Sequence, residues 1–289
     1  MPLLSAAHGQ SFDPKVTAHF RASADLYKLW SPEGHLHFGY WHWPMNPFRR
    51  KPMLEALVHL IVRELDPKPG KCFADLGCGY GSAARLVATA YDTCVEAFTV
   101  VEEQVQEGTT AALADGTSNR VTMKLRDFRD TGLPDASMDG VYALESLCYG
   151  TGLGKGDVLA EAARILKPGA RLATADGFLV KQARGVRKRM VDTITNGWAL
   201  PCFPDLACFT EALESNGFAD VQVEDLSWKM GPCALHGVPL LAYTLARRSL
   251  GKGMEPLEKA HLRSCALGIL LGTQHSLFRY CMVTATRRL

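Results

Sequence analysis

Apolar side chains recur at helical spacing in two stretches near the start of the chain. Residues 13–30 carry them three or four positions apart, and residues 51–65 repeat the pattern before a DPKPG turn. This spacing puts the apolar side chains on one face and predicts two amphipathic helices. Between them, residues 35–44 read HLHFGYWHWP, a segment dense in aromatic and histidine side chains. The apolar positions of the first helix are Val16, Phe20, Ala24 and Tyr27.

From residue 71 onward, short apolar stretches alternate with helical ones, which is the pattern of an α/β fold. A strand precedes Gly77, and a helix begins near Ser82. Residues 231–277 have a mainly helical and apolar pattern and are far longer than a hairpin connection. We expect this insertion to cover a substrate cavity together with the aromatic segment. The other predicted strands are 95–101, 121–127, 140–144, 170–180, 220–228 and 278–287.

Composition and charge restrict the class of protein. The chain has 289 residues, of which 47% are hydrophobic and 21% charged, and these values suit one globular domain with appended helices. Its net charge of +2 gives no reason to expect a nucleic-acid partner. No apolar run approaches the ~20 residues that span a bilayer, and the start of the chain lacks a secretory signal pattern. We therefore expect a soluble, cytosolic protein.

The nine cysteines are odd in number and form no CxxC pair. This usage argues against a disulfide framework and against a zinc knuckle, so no metal site is predicted. We expect most of the cysteines to be small, buried apolar residues.

The stretch 71–91 carries the most informative motif: an apolar strand, a turn with Gly77, Gly79 and Gly81, and a helix. Glycine lets the backbone bend tightly and approach a ligand without a Cβ atom in the way. The start of the helix offers free N–H groups to polar parts of that ligand. Asp75 precedes the turn, and an acid there suits a ligand with a cationic amine. A tight turn of any α/β protein is the alternative interpretation.

The DLGCGYG run at 75–81 resembles motif I of the class I S-adenosylmethionine (AdoMet) methyltransferases, and the resemblance continues to about Val180. It implies an α/β fold with a Rossmann-like seven-stranded sheet, six strands parallel and the last antiparallel, helices on both faces and a helical cap. It also implies that AdoMet is the methyl donor, with S-adenosylhomocysteine as product, and that the loop wraps the methionine part of AdoMet. The expected division is a helical lid at 1–50 and a methyltransferase domain at 51–289, with the cap insertion at about 231–277.

The segment 35–44 resembles the N-terminal lid of small-molecule methyltransferases, including sugar O-, tocopherol-type and sterol C-methyltransferases. In these families a tyrosine on the first helix and an HFGYW-like segment close over the cofactor, which implies roles for Tyr27, His37, Gly39 and Tyr40. A closed, water-poor cavity favours methyl transfer, and aromatic faces attract a sulfonium as they attract an ammonium. An aromatic cover packed on the core is the alternative.

The second strand lacks the acid that holds the ribose hydroxyls in most of the family. Thr99 stands there, and Gln104 follows five positions later, as in the sterol, cyclopropane and tocopherol-type enzymes. Glu102 and Glu103 are more consistent with first-turn helix acids than with ribose ligands, and a ribose contact of Glu102 is the alternative. After the third strand, the resemblance implies that Asp127 accepts from the adenine amino group while Phe128 packs on the ring. The implied cofactor-binding residues are Tyr27, Asp75, Gly77, Cys78, Gly79, Gly81, Thr99, Val100, Gln104, Asp127, Phe128 and Leu144.

Glu145 follows the fourth strand, at the edge of the sheet where ligands bind in open α/β folds. Its ALESL context resembles sugar and sterol methyltransferases. Three roles stay open: a base, a carboxylate that stabilises a carbocation, or an anchor for a loop. Cys148 and Tyr149 occupy places where O-methylating relatives often have a histidine, which weakens a histidine-base mechanism there. The predicted catalytic candidates are Glu145, Tyr40 and His37.

These features predict an AdoMet-dependent methyltransferase, an enzyme whose partner is a small, hydrophobic methyl acceptor. C-methylation of an isoprenoid is the first hypothesis, because the sterol-type residues coincide with a long apolar cap. O- or N-methylation of a natural product or amine is the alternative. The low net charge disfavours nucleic-acid methylation, and the intact glycine loop disfavours a non-catalytic binding module. The basic run at 181–190 is either a solvated helix face or a rim for an anionic substrate such as a prenyl diphosphate.

Overall fold

The computed structural model of the protein describes residues 12–249 and 253–289. The start of the chain, for which no signal pattern is expected, lies outside these residues. The first part of the predicted lid and residues 250–252 of the predicted cap also lie outside the described residues. The strands that these residues form are β1 (Cys72–Leu76), β2 (Cys94–Thr99), β3 (Val121–Leu125), β4 (Met138–Leu144), β5 (Leu166–Leu179), β6 (Phe218–Asp225) and β7 (Phe278–Arg287).

The strands form one sheet in the order β3-β2-β1-β4-β5-β7-β6. The pairs from β3 to β5 are parallel, whereas β7 runs antiparallel to both of its neighbours, β5 and β6. The predicted fold class, with six parallel strands and an antiparallel last strand, is confirmed.

Helices cover both faces of this sheet. A short 3-10 helix at Leu147–Tyr149 follows β4, and the last three of the helices named below lie between β6 and β7. The α-helices of the described residues are α1 (Pro14–Ala22), α2 (Ala24–Trp30), α3 (Arg50–Arg63), α4 (Ser82–Tyr91), α5 (Glu102–Ala114), α6 (Gly156–Ile165), α7 (Gly185–Gly197), α8 (Leu206–Ser215), α9 (Ser227–Leu235), α10 (Gly237–Ser249) and α11 (Pro256–Gly272).

The core consists of two layers, one on each face of the sheet. Leu57 of α3 and Val87 of α4 belong to the same buried cluster as Tyr142 of β4. Phe209 of α8 belongs to the opposite cluster, with Val141. Val141 and Tyr142 are consecutive, so their side chains point to opposite faces. Burial on both faces explains why the central strands read as short apolar runs rather than as an alternating pattern.

Most predicted elements differ from the observed ones by a few residues at their ends, and two of these differences change the path of the chain. The helix predicted over 13–30 is divided, because Ser23 leaves the helical conformation (φ −99°, ψ 2°) and caps the end of α1. The sixth strand ends at Asp225, whose side chain accepts a hydrogen bond from the Ser227 N–H at 2.9 Å. This bond is typical of a turn, and it leads the chain into α9.

Cys72 and Cys94 are register partners at the start of β1 and β2, and a disulfide joins them. The cysteine pattern argued against a disulfide framework and did not foresee this pair, because the register of two parallel strands brings the two residues together. The remaining seven cysteines are free thiols, and the buried ones are Cys78, Cys148, Cys233 and Cys281.

Candidate active site

The glycine loop, residues 75–81, joins β1 to α4 and folds back onto the end of β2. The N–H groups of Gly77 and Cys78 both donate to the carbonyl of Phe98, at 3.0 and 2.9 Å. Gly77 has φ +90°, and a Cβ atom added there would collide with the Cβ of Ser146. Only glycine fits both this conformation and this space. The other two glycines of the loop also have positive φ, +53° at Gly79 and +68° at Gly81.

Asp75 lies in β1, one residue before its end, and is 2% exposed. Burial raises the pKa of its carboxyl to about 7, although the nearby Tyr142 hydroxyl partly opposes this shift. Tyr142 is its register partner on β4, yet the two groups form no hydrogen bond of good geometry. Among the described residues, Asp75 Oδ2 therefore has no hydrogen-bond donor, which is unusual for a buried oxygen.

These features fit the amino-acid part of AdoMet. A cationic amine beside Asp75 would supply the missing donor, and its charge would lower the pKa of the carboxyl. Helix α4 begins directly after Gly81, so its first turn offers N–H groups to other polar ligand atoms. The cofactor role of each loop residue stays a prediction, and the unpartnered oxygen of Asp75 is the observation that supports it.

Thr99 and Gln104 are both buried, at the end of β2 and in the first turn of α5. The Thr99 hydroxyl donates to Gln104 Oε1 at 2.6 Å. This bond orients the amide and leaves Gln104 Nε2 to donate to another group. Glu102, by contrast, is exposed and accepts a hydrogen bond from Gln106 Nε2 at 3.3 Å. The structure therefore brings together the two residues expected to hold the ribose hydroxyls.

Asp127 follows β3, and Arg129 binds its carboxylate. Arg129 Nε donates to Oδ1 at 2.9 Å, and Nη2 donates to Oδ2 at 2.6 Å. Burial alone would raise the pKa of Asp127, but the hydrogen bonds and charge of Arg129 lower it overall. An adenine amino group at this position would share the carboxylate with Arg129. The neighbouring candidates are Phe128 and Val100, both half-buried, and Leu144, which is buried at the end of β4.

Glu145 follows β4 in a left-handed backbone conformation (φ +51°), which is uncommon for a residue with a side chain. Its Oε1 accepts hydrogen bonds from the Phe38 N–H at 2.6 Å and from the Tyr280 hydroxyl at 2.8 Å. Burial raises the pKa of Glu145 to about 8, and these two bonds only partly oppose the shift. Glu145 thus ties the aromatic segment 35–44 to β7, which is the geometry of a loop anchor.

The two histidines of segment 35–44 that precede Phe38 are buried and contact each other. His35 Nδ1 lies 3.2 Å from His37 Nε2, and His37 Nδ1 lies 2.6 Å from the carbonyl oxygen of Phe38. Since a carbonyl only accepts, His37 carries its proton on Nδ1, and its Nε2 accepts from His35. Burial lowers the pKa of His35 to about 3 and that of His37 to about 4. Both ring nitrogens of His37 are occupied within the segment, and its catalytic role stays a prediction.

The next residues of the segment pack against α3 and α9. The Gly39 N–H donates to Cys233 Sγ at 3.0 Å, and a Cβ atom added at Gly39 would lie 2.5 Å from the carbonyl carbon of Met53. The Tyr40 N–H donates to the Met53 carbonyl at 2.8 Å. Burial and the nearby charge of Glu224 raise the pKa of the Tyr40 hydroxyl. Gly39 therefore permits the close packing, while the catalytic role of Tyr40 stays a prediction.

Sequence reasoning did not single out a further polar group where α1 and α2 meet α11, here called the α1–α11 interface. His19, Ser23 and His261 are 2%, 0% and 4% exposed. The ring centroids of His19 and His261 are 5.1 Å apart, and the Tyr27 ring lies 5.2 Å from His261. Of these residues only Tyr27 is predicted from the sequence, as a cofactor-binding residue, and that role stays a prediction. Spacing could have found His19 and Ser23, which precede Tyr27 at intervals of four. His261 carries no comparable signal in the sequence.

Two other classes of site receive no support from the described residues. No helix among them is long and apolar enough to cross a membrane, and no group of three or more His, Cys, Asp or Glu side chains is placed to hold a metal ion. The basic run 181–190 continues into α7, where Lys188 pairs with Asp192 at 2.6 Å. Arg184, Arg187 and Arg189 are exposed.

The chain is similar to curated methyltransferases over part of its length. It is 32% identical over 144 residues to an O-methyltransferase of Pyrenophora dematioidea, a match that covers 50% of this chain and 53% of that protein. It is 32% identical over 212 residues to 27-O-demethylrifamycin SV methyltransferase of Amycolatopsis mediterranei (strain S699), which covers 72% of this chain and 75% of that protein. The chain thus spans about half the length of the first relative and three quarters of the second.

The fold is shared with solved structures. The crystal structure of the 4+2 cyclase SpnF matches with a TM-score of 0.78 at 21% identity, over 95% of this chain and 96% of that one. A family model described as a methyltransferase domain matches residues 73–169, which include the glycine loop and the strands up to the start of β5. With the relative from Amycolatopsis covered over three quarters of its length, these matches show that the chain belongs to the class I AdoMet-dependent methyltransferases.

Proposed function

We propose that this protein transfers the methyl group of AdoMet to a hydroxyl oxygen of a small hydrophobic molecule. The observation that carries the donor half is the buried Asp75 carboxyl, whose Oδ2 lacks a hydrogen-bond donor beside the glycine loop. The amine of AdoMet is such a donor. The oxygen acceptor is supported by the relative from Amycolatopsis, whose name refers to an O-demethylated substrate.

The hydrophobic acceptor is supported by aromatic side chains beside the 3-10 helix. The Phe20 ring stacks on Tyr27 with centroids 5.9 Å apart and lies 5.7 Å from the Tyr149 ring. Burial, followed by nearby ionisable groups, raises the pKa of Tyr27 and of Tyr149 well above the usual range. Both phenols are therefore neutral at physiological pH, and their surroundings suit an apolar ring or chain.

Bound AdoMet supplies an electrophilic methyl group on a sulfonium. In this proposal Asp75 binds its amine, the pair Thr99 and Gln104 binds the ribose hydroxyls, and Glu145 holds the segment around Phe38 closed over the site. Exclusion of water by this segment favours the transfer. Catalysis comes mostly from positioning, which contributes up to ~7–11 kcal/mol when the geometry is good. The cytosolic location expected from the sequence is part of the same proposal.

AdoMet labelled in its methyl group tests the proposal with the purified full chain. The panel contains phenols, alcohols, sugars, amines, sterols and prenyl diphosphates, and mass spectrometry locates the methyl group in each product. We expect label in the O-methyl products of hydrophobic phenols or alcohols, without added metal. Label only on carbon or nitrogen would refute the oxygen acceptor. The donor would be refuted if calorimetry detected no binding of AdoMet.

C-methylation of an isoprenoid is the second candidate, and the position of Glu145 after β4 favours it. A carboxylate there could stabilise the cation that forms when an alkene is methylated. The hydrogen bonds from Phe38 and Tyr280, together with a pKa of about 8, favour the role of an anchor instead. A C-methylated prenyl diphosphate from the same panel would support this candidate. In that case Arg187→Glu should raise KM, because Arg187 is exposed in the basic run.

A further inference from the structure

Three polar atoms of the α1–α11 interface lack partners within the part of the chain that the structure describes. His19 Nε2, Ser23 Oγ and His261 Nδ1 are buried and form no hydrogen bond there. Buried polar side chains are almost always satisfied, so three such atoms at one place need an explanation. They come from two separate elements, because His19 and Ser23 belong to α1 and its cap while His261 belongs to α11.

His19 Nε2 is buried and has no partner among the described residues. The backbone of Gly197 favours the protonated ring, but burial outweighs it and the pKa of His19 is lowered. The ring is therefore neutral at neutral pH, and Nε2 holds the lone pair when the proton is on Nδ1. His261 Nε2 lies 3.4 Å from Cys265 Sγ. His19 Nε2 is thus available to accept a proton.

The interface adjoins the carboxyl end of β4. The Tyr27 ring is 5.2 Å from His261, and burial raises the pKa of its hydroxyl. The Phe20 ring connects Tyr27 to Tyr149 of the 3-10 helix that follows β4, at 5.9 and 5.7 Å. A hydroxyl group that reaches this cluster of rings would therefore lie close to the predicted edge for ligands.

We propose that His19, Ser23 and His261 form the subsite for the acceptor hydroxyl, and that His19 Nε2 takes its proton. This inference rests on the proposed O-methylation. The acceptor oxygen bonds to the methyl carbon while the bond from that carbon to sulfur breaks. The O–H bond breaks as well, and its proton moves to His19 Nε2. The positive charge of the sulfonium thereby ends on the imidazole, and S-adenosylhomocysteine leaves with a neutral sulfur.

A weak base is sufficient for this step. Burial lowers the pKa of His19 to about 4, so its lone pair is available near neutral pH. The hydroxyl becomes strongly acidic while its oxygen bonds to the methyl group, because positive charge develops on that oxygen. A positioned base then removes the proton during the transfer. Ser23 Oγ can donate to the same oxygen or accept from it, which would fix its position.

His19→Asn removes the proposed base and keeps a polar side chain at the same position. The amide of asparagine fills the space of the imidazole as far as Nδ1, whereas Nε2 is lost. Turnover of phenols and alcohols with labelled AdoMet should fall about a hundredfold or more. Turnover of 4-nitrophenol, assayed above its own pKa and thus already ionised, should stay close to that of the wild type. His59→Asn, which removes a half-buried ring bonded to Tyr91 Oη at 2.9 Å, is the matched control and should change neither rate.

The outcomes separate this inference from the proposed function. Equal rates of O-methylation by wild type and His19→Asn would overturn the base, and so would an equal loss with neutral and ionised phenols. Product methylated only on carbon or nitrogen would refute the proposed function instead.

The subsite itself can be judged without turnover. Nitrogen-15 spectra of the histidine rings, recorded with S-adenosylhomocysteine and 2-naphthol, report whether a phenol hydroxyl reaches His19. We expect the Nε2 resonance of His19 to shift toward that of a hydrogen-bonded nitrogen, and this signal to be absent in His19→Asn. An unchanged His19 resonance at saturating 2-naphthol would overturn the subsite.

Discussion

The glycine-loop edge of the sheet and the α1–α11 interface bury ionisable groups of opposite kinds. At the sheet edge, burial raises the pKa of carboxyls, to about 7 at Asp75 and about 8 at Glu145. At the interface, burial lowers the pKa of imidazoles, to about 4 at His19 and about 3 at His261. Desolvation disfavours the charged form in both places, so the acids tend to keep their protons and the bases lack them.

The difference indicates what each region can receive. A buried acid next to a bound cation releases its proton, because the cation favours the carboxylate. A buried neutral imidazole next to a hydroxyl can accept a proton instead. The sheet edge is therefore matched to a positively charged ligand, and the interface is matched to a proton donor. The proposed transfer from a sulfonium donor to a hydroxyl acceptor would use both.

Disruption of the glycine loop should have the largest effect. We expect Gly77→Ala to weaken AdoMet binding about a hundredfold or more, because the new Cβ would collide with Ser146 and displace the loop. The left-handed backbone at Gly77 (φ +90°) adds strain to this collision. Isothermal titration calorimetry with AdoMet and with S-adenosylhomocysteine measures the change.

Gly70→Ala is the matched control for this prediction. Gly70 also has a positive φ, +80°, but a Cβ atom there has no neighbour within 4 Å. We expect a loss of ~1–3 kcal/mol in the free energy of unfolding from strain alone, with AdoMet affinity unchanged. Equal losses of affinity in both variants would mean that general strain, rather than the shape of the loop, controls binding.

The glycine loop could be predicted from the sequence, whereas the interface could not. Asp75, Gly77 and Gly81 lie within one turn, so the order of residues alone determines their geometry. His19 and His261 lie near opposite ends of the chain, and only the packing of α1 against α11 brings them together. Short-range patterns carry no information about such a contact.

Other features of the molecule divide in the same way, into those that nearby residues determine and those that depend on contacts between distant residues. The seven strands follow from local patterns, and the pair Thr99 and Gln104 follows from the resemblance of one short segment to a known family. The Cys72–Cys94 disulfide depends on strand register, which the sequence does not specify directly. Asp127 shows a further limit, because an acid after a strand can bind a ligand or a neighbour such as Arg129, and residue type alone does not decide between them.

Acid should open the α1–α11 interface before the sheet edge. The folded pKa values of His19 and His261, about 4 and about 3, lie below the unfolded value of ~6.5. Their contribution to stability is thus present above pH ~6.5 and is lost as the pH falls toward these folded values, because the opened chain binds protons that the native one excludes. At about pH 5 we expect on the order of thirtyfold more opening per histidine. Hydrogen exchange of α1 and α11, corrected for intrinsic rates, measures it.

The buried carboxyls provide the internal comparison, because their sign is opposite. The folded pKa values of Asp75 and Glu145 are raised, so their contribution is fully present below pH ~4 and is lost as the pH rises through about 7 and about 8. Strands β1 and β4 should therefore keep their protection in mild acid. His261→Asn should reduce the acid response of α11, whereas substitution of the exposed His42 should not. Equal losses of protection in β1 and α11 would contradict the distinction.

A smaller effect is expected at the ribose position of the sheet edge. We expect Gln104→Ala to weaken AdoMet binding roughly 2- to 12-fold, the range of one neutral hydrogen bond of ~0.5–1.5 kcal/mol. Glu102→Ala is the matched control on the same helical turn, and its exposed side chain should contribute little. Calorimetry compares the two variants. A larger loss from Glu102→Ala would mean that the acid, and not the buried pair, holds the ribose.

The smallest effect is expected at Glu145, the residue that connects the sheet edge to segment 35–44. In Glu145→Gln the amide Oε1 can still accept from Phe38 and Tyr280, and the amide resembles the protonated acid that a pKa of about 8 favours. With hydroxyl acceptors, kcat should therefore stay within about threefold of wild type, less than ~0.7 kcal/mol.

Glu145→Gln should also gain stability relative to wild type as the pH rises from ~4.3 to about 8, because only the wild type loses the contribution of its protonated carboxyl over that range. Denaturant unfolding at several pH values measures this difference, and Tyr280→Phe, which removes one donor to the same oxygen, is its control. A fall of kcat by orders of magnitude at unchanged KM would have a different meaning. It would show that the carboxylate stabilises a cation during the transfer, and carbon would then replace oxygen as the acceptor.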